Sequence, residues 1–367
     1  MSFSRFLFSN GILLHTPDAP PVKVLLEANP GAYTTTRTHD RGSYLLFWER
    51  HMKRLSESVH TLSNLAPQLL FKSDKSTSSS PSSVNFPIWQ PPVQMLVNDS
   101  ISKVLPIALK EINDCQELAI TTLVCGNLDA LNAQKTVECQ ERLRQTLEVH
   151  VHVETYIPPS FGIRENGVNL ALVGWGRNVA SAKYSDWVRL RQSLEKLRPP
   201  SVTELLLSND GDQVLEGCIT NFFVVCRKDT SNDNHRNGNS LEVQTAPISD
   251  GVLPGIIRQV VIEVCRSNGI PFREVAPSWS EREVWEEAFI TNSLRILQHV
   301  DSVQVPTDWQ SVHSKTWKDV SWEKKQFQGG PGKITAIIQE LIMERAAQEG
   351  YASINFMMKC DQTSAGM

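Results

Sequence analysis

Between Leu147 and Val153 the chain alternates without a break: Leu147, Val149, Val151 and Val153 are apolar, and Glu148, His150 and His152 lie between them. A two-residue period puts each set on its own side of an extended backbone, so the segment predicts a half-buried strand. Pro158-Pro159-Ser160 then breaks the pattern and predicts a domain boundary. A length of 367 residues suits about two domains at roughly 150 residues each. The expected division is residues 1–157, residues 158–350 and a tail at 351–367.

In the first part, Lys23 to Thr38 reads as two short strands joined at Asn29-Pro30-Gly31. Asp40-Arg41-Gly42 reads as a turn and Tyr44 to Trp48 as an apolar strand. Met52, Leu55, Val59 and Leu62 recur at helical spacing, which predicts an amphipathic helix from about Glu49. The stretch from Lys72 to Ser83 is Ser-rich, and Pro87, Pro91 and Pro92 extend the irregular character. An insertion is expected over about 72–96. A helix near Ile101 to Ile112, a strand at Leu118 to Val124 and a helix at Thr136 to Gln145 follow.

The second part is rich in strand signals. Thr203 to Leu207, the turn Asn209-Asp210-Gly211 and Gln213 to Glu216 predict a hairpin. Thr220 to Cys226 predicts a strand paired with Leu241 to Thr245, across a polar loop at Asp229 to Ser240. Pro254-Gly255 opens a helix carrying Ile256, Ile257, Val260, Val261 and Val264, and Asn268-Gly269 ends it. Ser280 and Glu283 have capping-box spacing before a strand at Ala288 to Thr291. A last helix is expected at Ile334 to Ala347.

Composition narrows the function classes. Thirty-six Lys and Arg against 40 Asp and Glu argue against a dedicated nucleic-acid binder. No apolar run reaches the length of a membrane span, and the first ten residues do not look like a secretory signal or an organellar presequence. The seven cysteines include no Cys-x-x-Cys pair, which reads as reduced thiols in a cytoplasmic protein. His150 and His152 read as the polar face of a strand rather than metal ligands, so no metal site is expected. Val173-Gly174-Trp175-Gly176 lacks the third glycine of a dinucleotide fingerprint, and Cys218 reads as core packing.

Five further features carry possible chemistry. Lys183 would need a desolvated or electrostatically depressed amine to react, and a lone lysine is more often a solvated surface group. Glu216 lies among apolar strand residues, where a carboxylate needs a cationic partner if buried; a strand-edge position at the surface explains it too. Gly255-Ile256-Ile257-Arg258 offers free N–H groups at a helix start, suited to phosphate, although Pro and Gly punctuate many helices. Arg54 borders the apolar face of its helix and either forks onto a phosphate or reaches water. Thr291-Asn292-Ser293 makes an anion-binding turn or an ordinary one.

Taken together these residues resemble the class IV pyridoxal-phosphate enzymes of fold-type IV. That family includes D-amino-acid aminotransferases, branched-chain aminotransferases and aminodeoxychorismate lyases. Gly31-Ala32-Tyr33-Thr34-Thr35-Thr36-Arg37 looks like the family's early strand, and His51-Met52-Lys53-Arg54-Leu55 matches its His-x-x-Arg-Leu helix. The spacing of Lys183 and Glu216 is close to that of the family's Schiff-base lysine and pyridine-pairing glutamate. Gly255-Ile256-Ile257-Arg258 and Thr291-Asn292-Ser293-Leu294-Arg295 resemble its two phosphate-binding segments. The resemblance spans about residues 5–345.

It implies a mixed α/β (α+β), two-domain D-amino-acid aminotransferase-like fold: a smaller N-terminal domain, a C-terminal pseudo-barrel carrying the cofactor lysine, and a cofactor cleft between them. It also implies pyridoxal 5′-phosphate as cofactor, a homodimer, and transfer of an amino group between an amino acid and a 2-oxo acid. Lys183 would form the Schiff base and move the proton, and Glu216 would pair with the ring nitrogen. Arg54, the backbone at Ile256 and Ile257, Thr291 and Asn292 would hold the phosphate. Asn221 would support the Glu216 strand, and Tyr33 would orient the substrate.

Some positions depart from the family. Val24 to Pro30 replaces a frequent Asp-Arg-Gly-x-x-Tyr-Gly-Asp-Gly, and Leu123-Val124-Cys125-Gly126 stands where many members have Thr-Arg-Gly. Ile257 replaces a common Thr. The two phosphate segments look more like the lyase branch, so β-elimination of pyruvate is one alternative activity. A non-catalytic binding protein that keeps the fold is another.

Overall fold

The computed structural model describes residues 4–72, 90–127, 130, 144–227 and 241–357. Most of the Ser-rich insertion, most of the helix expected at Thr136 to Gln145, the whole Asp229 to Ser240 loop and the end of the tail lie outside these residues. The chain forms a mixed α/β structure of two compact units. The first takes residues up to Pro158, Ala182–Leu190 and residues from Gln348 onward; the second takes Pro159–Ser181 and Arg191–Ala347. The expected split at 158 puts Lys183 with the C-terminal half, whereas by contact its segment belongs to the first unit.

The first unit holds strands β1 (Arg5–Ser9), β2 (Ile12–His15), β3 (Ala32–His39), β4 (Tyr44–Leu45), β5 (Phe71–Lys72), β6 (Glu117–Asn127) and β7 (Leu147–Tyr156). Their order is β4-β3-β6-β7-β1-β2, with β5 beside β6. Helices α1 (Val22–Ala28), α2 (Trp48–Leu65) and α3 (Gln90–Ala108) belong to the same unit. The first half of Lys23 to Thr38 is therefore a helix and not a strand. Leu25 and Leu26 pack with Leu7, Tyr33 and Leu123, while Val24 faces outward. A single apolar helical stripe explains that burial, and a strand period does not.

Helix α3 likewise replaces the irregular stretch expected up to Leu96. Pro91 and Pro92 occupy its first turn, where a missing N–H breaks no helical bond. Val93, Val97, Ile101, Val104, Leu105 and Ala108 then form its buried stripe. Strand β7 runs as expected, but neither of its faces is solvent-exposed. His150 and His152 are 5% and 1% exposed, held by Ser9 Oγ and the Pro20 carbonyl.

The second unit contains β8 (Val168–Gly174), β9 (Glu204–Leu207), β10 (Glu216–Gly217), β11 (Asn221–Arg227), β12 (Leu241–Thr245), β13 (Phe272–Glu274), β14 (Trp285–Asn292), β15 (Ile296–Pro306) and β16 (Trp322–Gln326). Its helices are α4 (Ile256–Ser267) and α5 (Lys333–Gln348). The ladder β10-β9-β8-β15-β14-β11 returns to β10, because Glu216 pairs with Leu207 on one side and Asn221 on the other. Six strands thus close on themselves. Phe222, Val224, Ala288, Ile290, Leu170, Leu172 and Leu206 share one buried cluster. On the opposite face of the same strands Phe223 and Phe289 stack at 4.8 Å. Both faces of β11 are buried, which accounts for its unbroken apolar run.

Strand β15 escaped the sequence reading because two of every three residues are buried along it, so no two-residue period is visible. The capping box expected at Ser280 and Glu283 does not form. Trp279–Val284 is a 3₁₀ helix whose N-cap is Ser278, and Asp212 accepts both the Ser280 N–H and the Ser278 hydroxyl. The C-terminal strand β17 (Tyr351–Ala352) pairs with β4 in the first unit. Cys125, Cys226 and Cys265 are buried free thiols, and Cys115 is an exposed one.

Candidate active site

In the first unit Lys183 lies against the start of β3. The Tyr33 N–H donates to the Lys183 carbonyl at 2.9 Å, and the Ser185 N–H donates to the Gly31 carbonyl at 2.9 Å. The Lys183 N–H donates to Ser58 Oγ at 3.1 Å. These bonds add a short extended piece to the β3 edge, with an antiparallel bridge between Ala32 and Tyr184. The lysine's backbone is fixed on both sides while its Nζ stands 4.6 Å from the centre of the Tyr33 ring. That contact brings together the two residues expected to meet substrate.

Helix α2 faces the same strand. His51, Arg54 and Ser58 recur at i, i+3 and i+7, so one stripe carries all three. Arg54 is 5% exposed, which decides for the inward reading over the solvated one. Its Nη2 donates to Thr34 Oγ1 at 2.8 Å, and Thr34 Oγ1 is 2.7 Å from His51 Nδ1. Burial, then the Arg54 charge, then that of Lys183, hold the His51 imidazole well below its ordinary pKa. Thr34 and His51 lie within the early-strand and His-x-x-Arg-Leu segments, which assign them no role, while Ser58 lies outside both and is marked only by its helical spacing from Arg54.

In the second unit Glu216, Asn221 and Thr291 occupy neighbouring positions on β10, β11 and β14. Glu216 is 2% exposed, so the expected need for a cation is real. Arg177 meets it: Nε and Nη2 are both 2.8 Å from Glu216 Oε1. The other oxygen accepts the Leu253 N–H at 3.0 Å and the Asn221 amide at 3.5 Å. Arg177 follows the Gly174-Trp175-Gly176 stretch set aside as a failed glycine fingerprint. A search for the cation that a buried carboxylate demands would have found it.

Asn221 also donates to the Leu253 carbonyl at 3.0 Å, which ties the strand to the start of α4. The backbone passes so close that a Cβ on Gly255 would run into Asn221 Oδ1. No side chain caps α4, whose N-cap is Gly255, so the N–H groups at Ile256 and Ile257 head a helix without a side-chain acceptor. Both isoleucine side chains are buried. On the adjoining row Thr291 Oγ1 is buried with no hydrogen-bond partner. A buried hydroxyl and a helix start both suit an anion.

Two neighbours carry structural bonds. Asn292 Oδ1 accepts the N–H groups of Leu294 and Arg295, which spends its carbonyl on the turn. Arg258 is fully buried on the Ala246 carbonyl and the Glu274 carboxylate. Burial pushes the Cys218 thiol above its ordinary range, which suits packing. Among the described residues no group of three potential ligands could hold a metal ion.

A family model for class IV amino-transferases matches residues 99–303. No curated protein matches the chain. Among solved structures, the branched-chain aminotransferase of the archaeon Thermoproteus uzoniensis, with norvaline, superposes with a TM-score of 0.57 at 17% identity, covering 94% of this chain and 96% of that one. A putative branched-chain amino acid aminotransferase from Thermotoga maritima gives 0.53 at 19%, covering 92% and 96%. An aminotransferase from Brucella abortus bound to pyridoxal phosphate gives 0.57 at 14%, covering 94% and 99%. These likenesses establish a shared fold.

Proposed function

Because the chain belongs to the class IV aminotransferase family, we propose that it moves an amino group between an amino acid and a 2-oxo acid with pyridoxal 5′-phosphate. The row of Glu216, Asn221 and Thr291 carries this reading. It sets a buried carboxylate, a bridging amide and an unpartnered hydroxyl beside a helix start that no side chain caps. A phosphorylated ring with a basic nitrogen needs an anion site and a carboxylate. When bound, the cofactor supplies the electron sink for the α-carbon.

In this reading Lys183 would hold the cofactor through its amine and would move the proton at the substrate α-carbon. Tyr33, 4.6 Å from Nζ, orients the substrate. Glu216 pairs with the ring nitrogen, with Arg177 compensating its buried charge. Arg54, the N–H groups of Ile256 and Ile257, and Thr291 hold the phosphate, and Asn292 shapes the adjoining turn. No described helix is long and apolar enough to cross a membrane, and the proposed setting is a cytoplasmic homodimer.

The test is borohydride reduction of the cofactor-loaded protein followed by peptide mapping. The label should fall on Lys183, and Lys183→Ala should remove both the label and the yellow absorbance. Label on another lysine overturns the assignment. Amino donors are screened against 2-oxo acids with aminodeoxychorismate alongside. Release of pyruvate and 4-aminobenzoate without amino transfer identifies a lyase instead.

A further inference from the structure

Thr34 is 1% exposed and His51 fully buried, so the protons between them can be assigned by counting. Arginine has no acceptor, so Arg54 Nη2 must donate to Thr34 Oγ1. The Thr34 hydroxyl has one proton, and His51 Nδ1 is the acceptor within its reach. If that nitrogen accepts, one polar hydrogen, on His51 Nε2, is left without a partner. If instead Nδ1 carries the proton, both the Thr34 hydroxyl and the Nε2 lone pair are stranded. The first arrangement leaves fewer unsatisfied buried groups and is favoured. A doubly protonated imidazole is opposed by burial and by the charges of Arg54 and Lys183.

We infer that Thr34 and His51 are positioning residues: neutral His51 takes the Thr34 proton at Nδ1, and this turns the Thr34 oxygen into a fixed acceptor that aims the Arg54 guanidinium. The donors then run in one direction, from Arg54 through Thr34 to His51, so each bond polarises the next. The inference rests on the proposed role of Arg54 at the cofactor phosphate. It adds that the arginine's aim is set by a threonine on β3 and a histidine one turn earlier on α2.

The test compares the affinity of pyridoxal phosphate with that of pyridoxal, which lacks the phosphate. Thr34→Val should weaken pyridoxal phosphate roughly tenfold or more, since a charged donor loses its acceptor, and leave pyridoxal unchanged. Thr34→Ser should restore wild-type affinity. Equal weakening of both ligands, or no rescue by serine, would overturn the inference. Arg54→Gln is the control: if it leaves the ratio of affinities intact, the phosphate role of Arg54 fails first. If it lowers the ratio and Thr34→Val does not, only the relay fails. Nitrogen NMR of the unaltered, histidine-labelled protein gives a second reading that needs no variant. His51 should show a bare Nδ1 and a protonated Nε2, and the reverse pattern would refute the relay.

Discussion

Arg177 and Glu216 form an ion pair whose side chains are only 4% and 2% exposed. Removing one member of such a pair strands a charge in the interior, whereas removing both does not. Arg177→Met should therefore lower unfolding stability by about 3–5 kcal/mol. Arg177→Met with Glu216→Leu should recover much of that loss. Urea titration of the two variants measures the difference, and a single variant as stable as wild type would refute the compensation.

Thr291 offers the opposite trade. Its hydroxyl is buried and unpartnered, so Thr291→Val removes a group that is unfavourable in the cofactor-free protein. The valine variant should be as stable as wild type or more so, by up to about 1 kcal/mol, yet bind pyridoxal phosphate less tightly. Thermal melts without cofactor and a titration with it separate the two effects. Lower stability together with undiminished binding would contradict the assignment.

Ser58 accepts the Lys183 N–H. Ser58→Ala leaves that donor without its acceptor and should reduce stability by about 1–3 kcal/mol. It should also slow borohydride trapping on Lys183, because the lysine's N–H loses the Ser58 hydroxyl as acceptor. Unchanged trapping would mean that the backbone bonds to Tyr33 and Gly31 hold the segment without Ser58.

Acid should weaken the first unit through β7. Burial lowers His150 and His152 to about 4 each, against an ordinary value near 6.5. Between these values the unfolded chain binds more protons than the folded one, so stability rises with pH. The contribution is complete above about pH 6.5 and is lost as the pH falls toward about 4. Urea midpoints from pH 7.5 to 4.5 should show this slope, and His150→Gln with His152→Gln should flatten it. An equal slope in the variant would assign the acid sensitivity elsewhere.

Much of the barrel was legible. The hairpin signal around Asn209-Asp210-Gly211 and the apolar run of β11 lead directly to the pairing of Glu216 with Leu207 and Asn221. Helix α4 begins and ends where Gly255 and Asn268 predict. What stayed hidden follows from tertiary packing. Burial on both faces erased the period of β15, and covering of the second face of β7 turned a polar stripe into buried histidines. In the site, motif spacing points to Lys183, Glu216 and Arg54. Their partners Arg177 and Ser58 sit in ordinary sequence contexts, and only the fold brings these and Thr34 close to them.

The segment Ala182–Leu190 leaves the first unit's main run and returns to it after a detour through residues of the second. An excised fragment ending at Pro158 would therefore lack Lys183, and its β3 edge would lose the Tyr33 and Gly31 backbone bonds. Anyone wishing to express that unit by itself would need to graft back these nine residues and those from Gln348 onward. Evolutionary shuffling of either half as a contiguous block faces the same obstacle.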